Sequence, residues 1–398
     1  MRGASNESVL GRTVSAAALA MMTALSGCSL IIDSSHYVGE RDASVGDAAV
    51  DNGINDFCSG AQPPLRATTA DAPGSETYAV VLRDMVLDQS DANGGDPLDA
   101  PWRTIGFNLD GFCTTTQDLR SECAPDEGFS VPLDGTGGID NAFGSSLFPL
   151  LALGAEDLEG DVAANQRDGI GNVMLIVDDW NGELDDSRVT VTFATTVFGT
   201  EAGAGGSAPD LTIVGSEAFL ADGTTPAPSP SWDGTDYFWG RRDMFVAGDP
   251  ALPNIRVTTA YVTGGVLVVR LPDRSPVKLV GIDQGIEVTL TDSVLVGNIY
   301  ELFVTPQGAA PAFVMAGRWG VNDIVAQAEH LGICDGTPLH STFVNQVGRT
   351  SDVLQDPPAT AEPSLPCDAL SVGIAFDGYA ARFGGVAQGQ DIPSPCPP

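Results

Sequence analysis

Apolar and polar residues alternate with a period of two along much of this chain. In Arg188–Phe198, "RVTVTFATTVF", Val189, Val191 and Phe193 fall on one face, the pattern of a strand with one buried side. Ile286–Leu290 alternates in the same way. In Ser371–Phe376, Val372, Ile374 and Phe376 share a face ahead of Asp377-Gly378, a pair that predicts a turn or a bulge. Thr77–Asp88, Trp102–Cys113 and Ile255–Leu271 are strand-like by their β-branched and aromatic content and their turn-rich flanks. Asn172–Trp180, "NVMLIVDDW", is nearly all apolar and runs into Asn181-Gly182, a hairpin signal.

Helical patterning is confined to two places. Ser145–Gln166 has it, interrupted by Pro149 and Gly154, and "DIVAQAEHL" follows Asn322 as cap and stops at Gly332. The chain therefore reads as mainly β: an antiparallel β-sandwich-like body over residues 76–398 with about two short helices. Pro-rich stretches at Ala221–Ser231 and Asp356–Pro366 read as loops. One large domain or two coupled ones fit this length, any seam falling at 202–232.

Ahead of the body the pattern changes. Arg2 and Arg12 precede an uncharged stretch, Val14–Gly27, that is too short to span a bilayer. Residues 1–27 thus have the layout of a secretory signal peptide. Residues 28–75 are poor in large apolar side chains and rich in Asp, Ala, Gly and Ser, the composition of a flexible tether with a reach of about 35–40 Å.

Leu25-Ser26-Gly27-Cys28 resembles the lipobox of bacterial lipoproteins. The resemblance implies cleavage before Cys28, thioether-linked diacylglycerol and an amide-linked acyl chain such as palmitate on that residue, and, with Ser29 following, sorting to the outer membrane. Two or three acyl chains hold a protein stably where one does not. The order of "IGFNLDGFCT", "GGIDNAFG", "DDWNGELDD", "AYVTGGVLVVRLP" and "CDALSVGIAF" also resembles a group of uncharacterised envelope lipoproteins from high-GC Gram-negative genomes. That resemblance implies a place, the cell envelope, and no activity.

Cysteine usage agrees with export. Of seven cysteines, setting Cys28 aside leaves Cys58, Cys113, Cys123, Cys334, Cys367 and Cys396, an even set suited to an oxidising compartment. Six thiols allow 15 pairings. Proximity in sequence favours Cys113 with Cys123 and Cys334 with Cys367, leaving Cys58 for Cys396.

Charge narrows the partners. The chain carries 53 acidic residues against 18 Lys and Arg, a formal net charge of −35, and Lys278 is its one lysine. Such a surface repels phosphate backbones, which excludes a nucleic-acid role, and anionic headgroups, which leaves the lipid as the membrane contact.

Several catalytic signatures are missing from the sequence: there is no G-x-S-x-G elbow, no H-E-x-x-H and no P-loop. His330, Cys334 and His340 have spacings a zinc site uses, unless Cys334 is in a disulfide. Acidic turns offer more. Asn108 and Asp110, then Asp134, Asp140 and Asn141, then Asp178, Asp179, Asp185 and Asp186 place oxygen ligands around glycines, as calcium requires. None has the EF-hand spacing, and Asp-Gly is also ordinary turn chemistry. A structural calcium site is expected at Asp134, Asp140 and Asn141. Trp232 and Trp239 in "SWDGTDYFWG" are candidates for stacking on a sugar, although such rings also serve as core anchors. The expected role is a lipid-anchored, calcium-supported binding or structural component with a protein or glycan ligand. The competing class is an extracellular carbohydrate-active enzyme, a glycoside hydrolase or lyase using paired carboxylates.

Overall fold

The computed structural model describes residues 61–68, 73–87, 100–151, 158–199, 211–214, 217–220, 228–280, 285–306, 308–331, 333–358, 362–387 and 396. All of them lie in one compact unit, Ile32–Pro398. In chain order the elements are β1 (Tyr78–Val86), α1 (Phe148–Leu151), α2 (Leu158–Arg167), β2 (Ile170–Asp178), β3 (Asp186–Gly199), β4 (Leu211–Val214), β5 (Glu217–Leu220) and β6 (Tyr237–Gly240). There follow β7 (Ile255–Thr263), β8 (Val266–Arg270), β9 (Ser275–Val280), β10 (Gly285–Asn298), α3 (Ile299–Phe303), β11 (Ala312–Gly320), α4 (Val321–Ala326), α5 (Pro338–Arg349) and β12 (Ala369–Val386).

The mainly β expectation holds, but the sandwich does not. Eight strands pair antiparallel in the ring β1–β2–β3–β7–β8–β10–β11–β12, and β12 returns to β1 to close it. Two pairings make the difference. Val80 lies opposite Ala380 across β1 and β12, and Val191 opposite Val257 across β3 and β7. A sandwich would leave those edges open, whereas closure satisfies their backbone groups. The barrel is a packed one: Leu82, Leu175, Phe193, Leu295, Phe313 and Phe376 are among the side chains that fill it.

A second, smaller ring shares four of these strands. β6 pairs antiparallel with the end of β3 and parallel with the end of β12, closing β12–β1–β2–β3–β6. Inside it Phe238 meets Ala79, Val81, Met174 and Ile176. Strands β1 and β2 are thus apolar on both faces, which is why "NVMLIV" reads as a continuous run rather than an alternation.

Elsewhere the patterning transfers directly. Val189, Val191 and Phe193, and likewise Val372, Ile374 and Phe376, point into the main core. Asp377-Gly378 does not turn: β12 continues to Val386, and the irregularity is on its neighbour β1, between Arg83 and Val86. There Met85 and Leu87 donate backbone N–H groups to Gln166 Oε1 (2.9 Å) and Glu159 Oε2 (3.0 Å), so α2 takes over where the ladder is interrupted. Trp102–Cys113 is not a strand either. After a 3₁₀ turn at Pro101–Thr104, the N–H groups of Leu109 to Phe112 go to side chains of Asp140, Asn108 and Asp110. The second expected helix begins at Val321 rather than after Asn322, and ends as a 3₁₀ turn at Ala328–Leu331. Among the described residues no helix is long and apolar enough to cross a membrane.

Candidate functional site

On the outer face of β11 and β12 lies an irregular strap, Pro101–Asn141. Its approach is close because the strands beneath carry small residues: a side chain at Gly373 would meet Ile105 O at 2.1 Å. Asn141 fastens one end. Its Nδ2 donates to Ile105 O (3.0 Å) and Gly373 O (3.3 Å), and its Oδ1 accepts from the N–H groups of Gly144 (3.0 Å) and Gly373 (3.1 Å).

Carboxyl groups collect under the strap. Asp140 Oδ2 accepts the N–H groups of Leu109 (2.6 Å) and Asp110 (3.1 Å). Asp134 Oδ2 accepts that of Thr114 (2.5 Å), and the carboxyls of Asp134 and Asp140 are electrostatic neighbours. Asp352, from the loop after α5, accepts from Ser371 N (2.8 Å) and Ser371 Oγ (2.5 Å), and that Oγ accepts the Ala142 N–H (2.8 Å).

One buried cation faces them. Arg318, on β11 and 1% exposed, forms an ion pair with Glu122 and donates to Leu354 O (2.8 Å) and Leu109 O (2.5 Å). Its Nε has no hydrogen-bond partner and lies 3.9 Å from Asp292 Oδ2. Burial raises the pKa of Asp110 to about 6, of Asp352 to about 7 and of Asp134 to about 8. Asp140 is also pushed upward, first by burial and then by Asp110, Asp134 and Asp352. The cause is desolvation of the charged form, reinforced by like charge.

Of the residues expected to bind calcium, Asp134 and Asp140 come together while Asn141 turns to the backbone. Among the described residues no group of three or more His, Cys, Asp or Glu side chains is arranged to hold a metal ion. The acidic hairpin ties its own turn. Asp186 accepts from Asn181 N (2.9 Å) and Arg188 N (3.0 Å), Asp185 from Gly264 N (2.9 Å) and Asp179 from Thr190 Oγ1 (2.8 Å).

The tryptophans are packed. Trp232 packs tilted against Phe238 and edge-on to Tyr379, lies under the Arg83 guanidinium at 4.7 Å and donates from Nε1 to Arg167 O (3.0 Å). Trp239 fills the space over Gly384 and Gly385, where a Cβ would come within 2.5 and 2.9 Å of its ring.

The disulfides differ from the pairing that proximity favoured. Cys123 is bonded to Cys367 and Cys334 to Cys396, and Cys113 is also disulfide-bonded. Short sequence distance loses here because the strap and the loop after α5 are brought together by the fold: Cys367 N donates to Ala124 O at 2.9 Å. With Cys334 bonded, the zinc spacing of His330, Cys334 and His340 has lost its sulfur ligand. Cys28 and Cys58 lie outside the described residues.

Glu122, Arg318 and Asp352 were not singled out by the sequence. One signal was present for Arg318, the single charge within "AFVMAGRWG", since a charge inside an apolar strand calls for a buried partner. Compared with known proteins, the chain matches no family model, no curated protein and no solved structure.

Proposed function

We propose that this chain is a lipid-anchored protein of the cell envelope, held at the outer membrane through Cys28, whose barrel serves as a non-catalytic binding or structural component for a protein or glycan ligand. The lipobox resemblance supports the anchor. One observation supports the non-catalytic role: the polar groups that would serve chemistry are engaged in holding backbone. The Asn141 side chain makes five hydrogen bonds to backbone, Asp140 accepts two N–H groups and Glu122 is closed on Arg318 and the Leu354 N–H.

Intact mass and membrane fractionation of wild type beside Cys28→Ala test the reading. Acyl mass and membrane retention lost together in the variant support it; a soluble, unacylated wild type refutes the anchor. Reducing sugar released from a glycan panel by the purified protein, and abolished by a single carboxylate substitution, would replace the binding role with the carbohydrate-active one.

A further inference from the structure

We propose that the outer face of β7 is a docking site for an acidic polysaccharide, the carboxylates of its sugars being taken by Arg66, Arg188 and Arg256. The proposal rests on the reading of the barrel as a binding component and deepens it by naming the ligand. A bulge builds the face. Val189 lies opposite Ala260 and Val191 opposite Val257, so Thr258 and Thr259 together face Thr190, and the extra residue leaves the ladder. Carbonyl groups of the bulge accept from guanidinium groups: Arg188 Nε donates to Thr258 O (3.3 Å) and Arg66 Nη2 to Thr259 O (2.7 Å). Arg66 also lies over the ring of Tyr261, 4.8 Å from its centroid. Two guanidinium groups are thus held at consecutive residues, and Arg256 stands two positions before Thr258, about 7 Å along a strand.

These three arginines are set apart by what they lack. The chain carries 53 Asp and Glu against 18 Lys and Arg, and most other described arginines pair with a carboxylate, as Arg83 does with Asp84 (2.7 Å) and Arg274 with Asp323 (2.9 Å). Arg66, Arg188 and Arg256 are exposed and form no ion pair among the described residues, and the Arg256 side chain forms no hydrogen bond there either. The bulge accounts for one N–H of Arg66 and one of Arg188, whereas a guanidinium has five. The others remain for a ligand, in the planar fork that matches a carboxylate.

Sugar fits this face better than other anions. The exposed positions of β7 are Arg256, Thr258 and Thr259, so hydroxyl groups stand beside the charge, and the strand presents none of the large apolar anchors of a protein interface. A nucleic-acid duplex is stiff and charged along its whole length, and would have to lie on acidic surface to either side of the arginines. A short sugar chain touches the arginines alone. At physiological ionic strength charges more than about 8 Å away are screened, so the overall charge of −35 is felt weakly there.

The test is calorimetric titration of the full, disulfide-bonded protein in uncharged detergent micelles. EDTA is present, which removes calcium as a bridge between an acidic protein and an acidic sugar. The probes are oligogalacturonate, neutral dextran, polyglutamate and duplex DNA. Expected is binding of oligogalacturonate at about 0.15 M NaCl that is lost at about 1 M, where screening is complete within a few ångströms. Arg256→Gln should weaken it about two- to fivefold, as loss of an exposed ion pair does, and Arg188→Gln added to it by a similar factor again. Arg349→Gln, on α5, removes the same charge from an arginine that lies over Phe129 and should leave binding unchanged. Absence of oligogalacturonate binding overturns the proposal, as does equal weakening by Arg349→Gln or equal binding of dextran. Polyglutamate or DNA bound as tightly overturns the assignment to sugar. The underlying reading fails separately: oligogalacturonate bound and then cleaved, with the Arg256→Gln effect intact, keeps the docking face and removes the non-catalytic role. Binding of dextran alone, unaffected by Arg256→Gln, keeps that role and removes the face.

Discussion

Phe313 gives the sharpest test of the barrel register. Its ring is fully buried and wedged between two glycines of the neighbouring strands. A Cβ at Gly297 would lie 2.0 Å from Cδ1, and one at Gly378 would lie 2.2 Å from Cε2, against a comfortable carbon separation of about 3.5–4.0 Å. Gly297→Ala should therefore overpack this layer at a cost of about 1–3 kcal/mol, of which about 0.4–1 kcal/mol is offset by the lower entropy of the unfolded chain. Phe313→Ala leaves a cavity and should cost about 3–5 kcal/mol. In the double variant the new methyl has no ring to meet and partly refills the space, so the two costs should fall short of additivity by about 1–3 kcal/mol. Urea unfolding with the disulfides intact, read by circular dichroism with matched m-values, measures each term. Additivity within about 0.5 kcal/mol would mean that the ring and the glycine do not touch, and the pairing of Gly297 with Phe313 would be wrong.

Other consequences are as direct. Glu122→Gln leaves the Arg318 charge buried without its partner and should cost about 3–5 kcal/mol; Glu122→Gln/Arg318→Met, measured by the same unfolding, should recover part of that loss. Melting temperature should fall from pH 5 to pH 8, because Asp110, Asp134 and Asp352 have raised folded-state pKa values. The stability they favour is complete below about pH 4 and is lost as pH rises through the folded values; a melting temperature that rises over this range would contradict the burial of these groups. Removing Cys123–Cys367, whose ends are 244 positions apart, should destabilise more than removing Cys334–Cys396, 62 positions apart. Chain entropy gives about 5 against about 4 kcal/mol, and paired Cys→Ser variants compared by calorimetry show the order.

Local patterning carried far into this fold. The alternation around Val189 and around Val372 places the correct residues in the core, because a strand with one face against a close-packed interior must alternate. Helices fared worse where propensity was weak. "PLHSTFVNQVGR" forms α5, with Thr337 as its cap, Pro338 opening it and Phe343 and Val347 on its buried side. The Thr-Pro start and the i, i+4 apolar pair were there to be read. Barrel closure was not legible, since β1 meets β12 across some three hundred residues and nothing local to either strand names the other. The acidic site was half legible. Asp110, Asp134 and Asp140 sit in recognisable Asp turns, but Glu122, Arg318 and Asp352 gain their roles only when the strap lies across β11 and β12.

The same contact explains why a sandwich was the natural first reading. On the outward side of β12 stand Ala369, Ser371, Gly373 and Ala375, and on that of β11 Val314, Ala316 and Arg318, all of them buried. Strands apolar or small on both faces suggest a second layer above them, and in a sandwich that layer is another sheet. Here the strap supplies it: Ile105 packs on Val314 and Ala375, and Asn141 replaces a strand partner at Gly373. An irregular layer has no ladder to satisfy its own N–H groups, so it must recruit acceptors from side chains. The carboxyls of Asp134 and Asp140 meet that need, accepting the N–H groups of Thr114, Leu109 and Asp110.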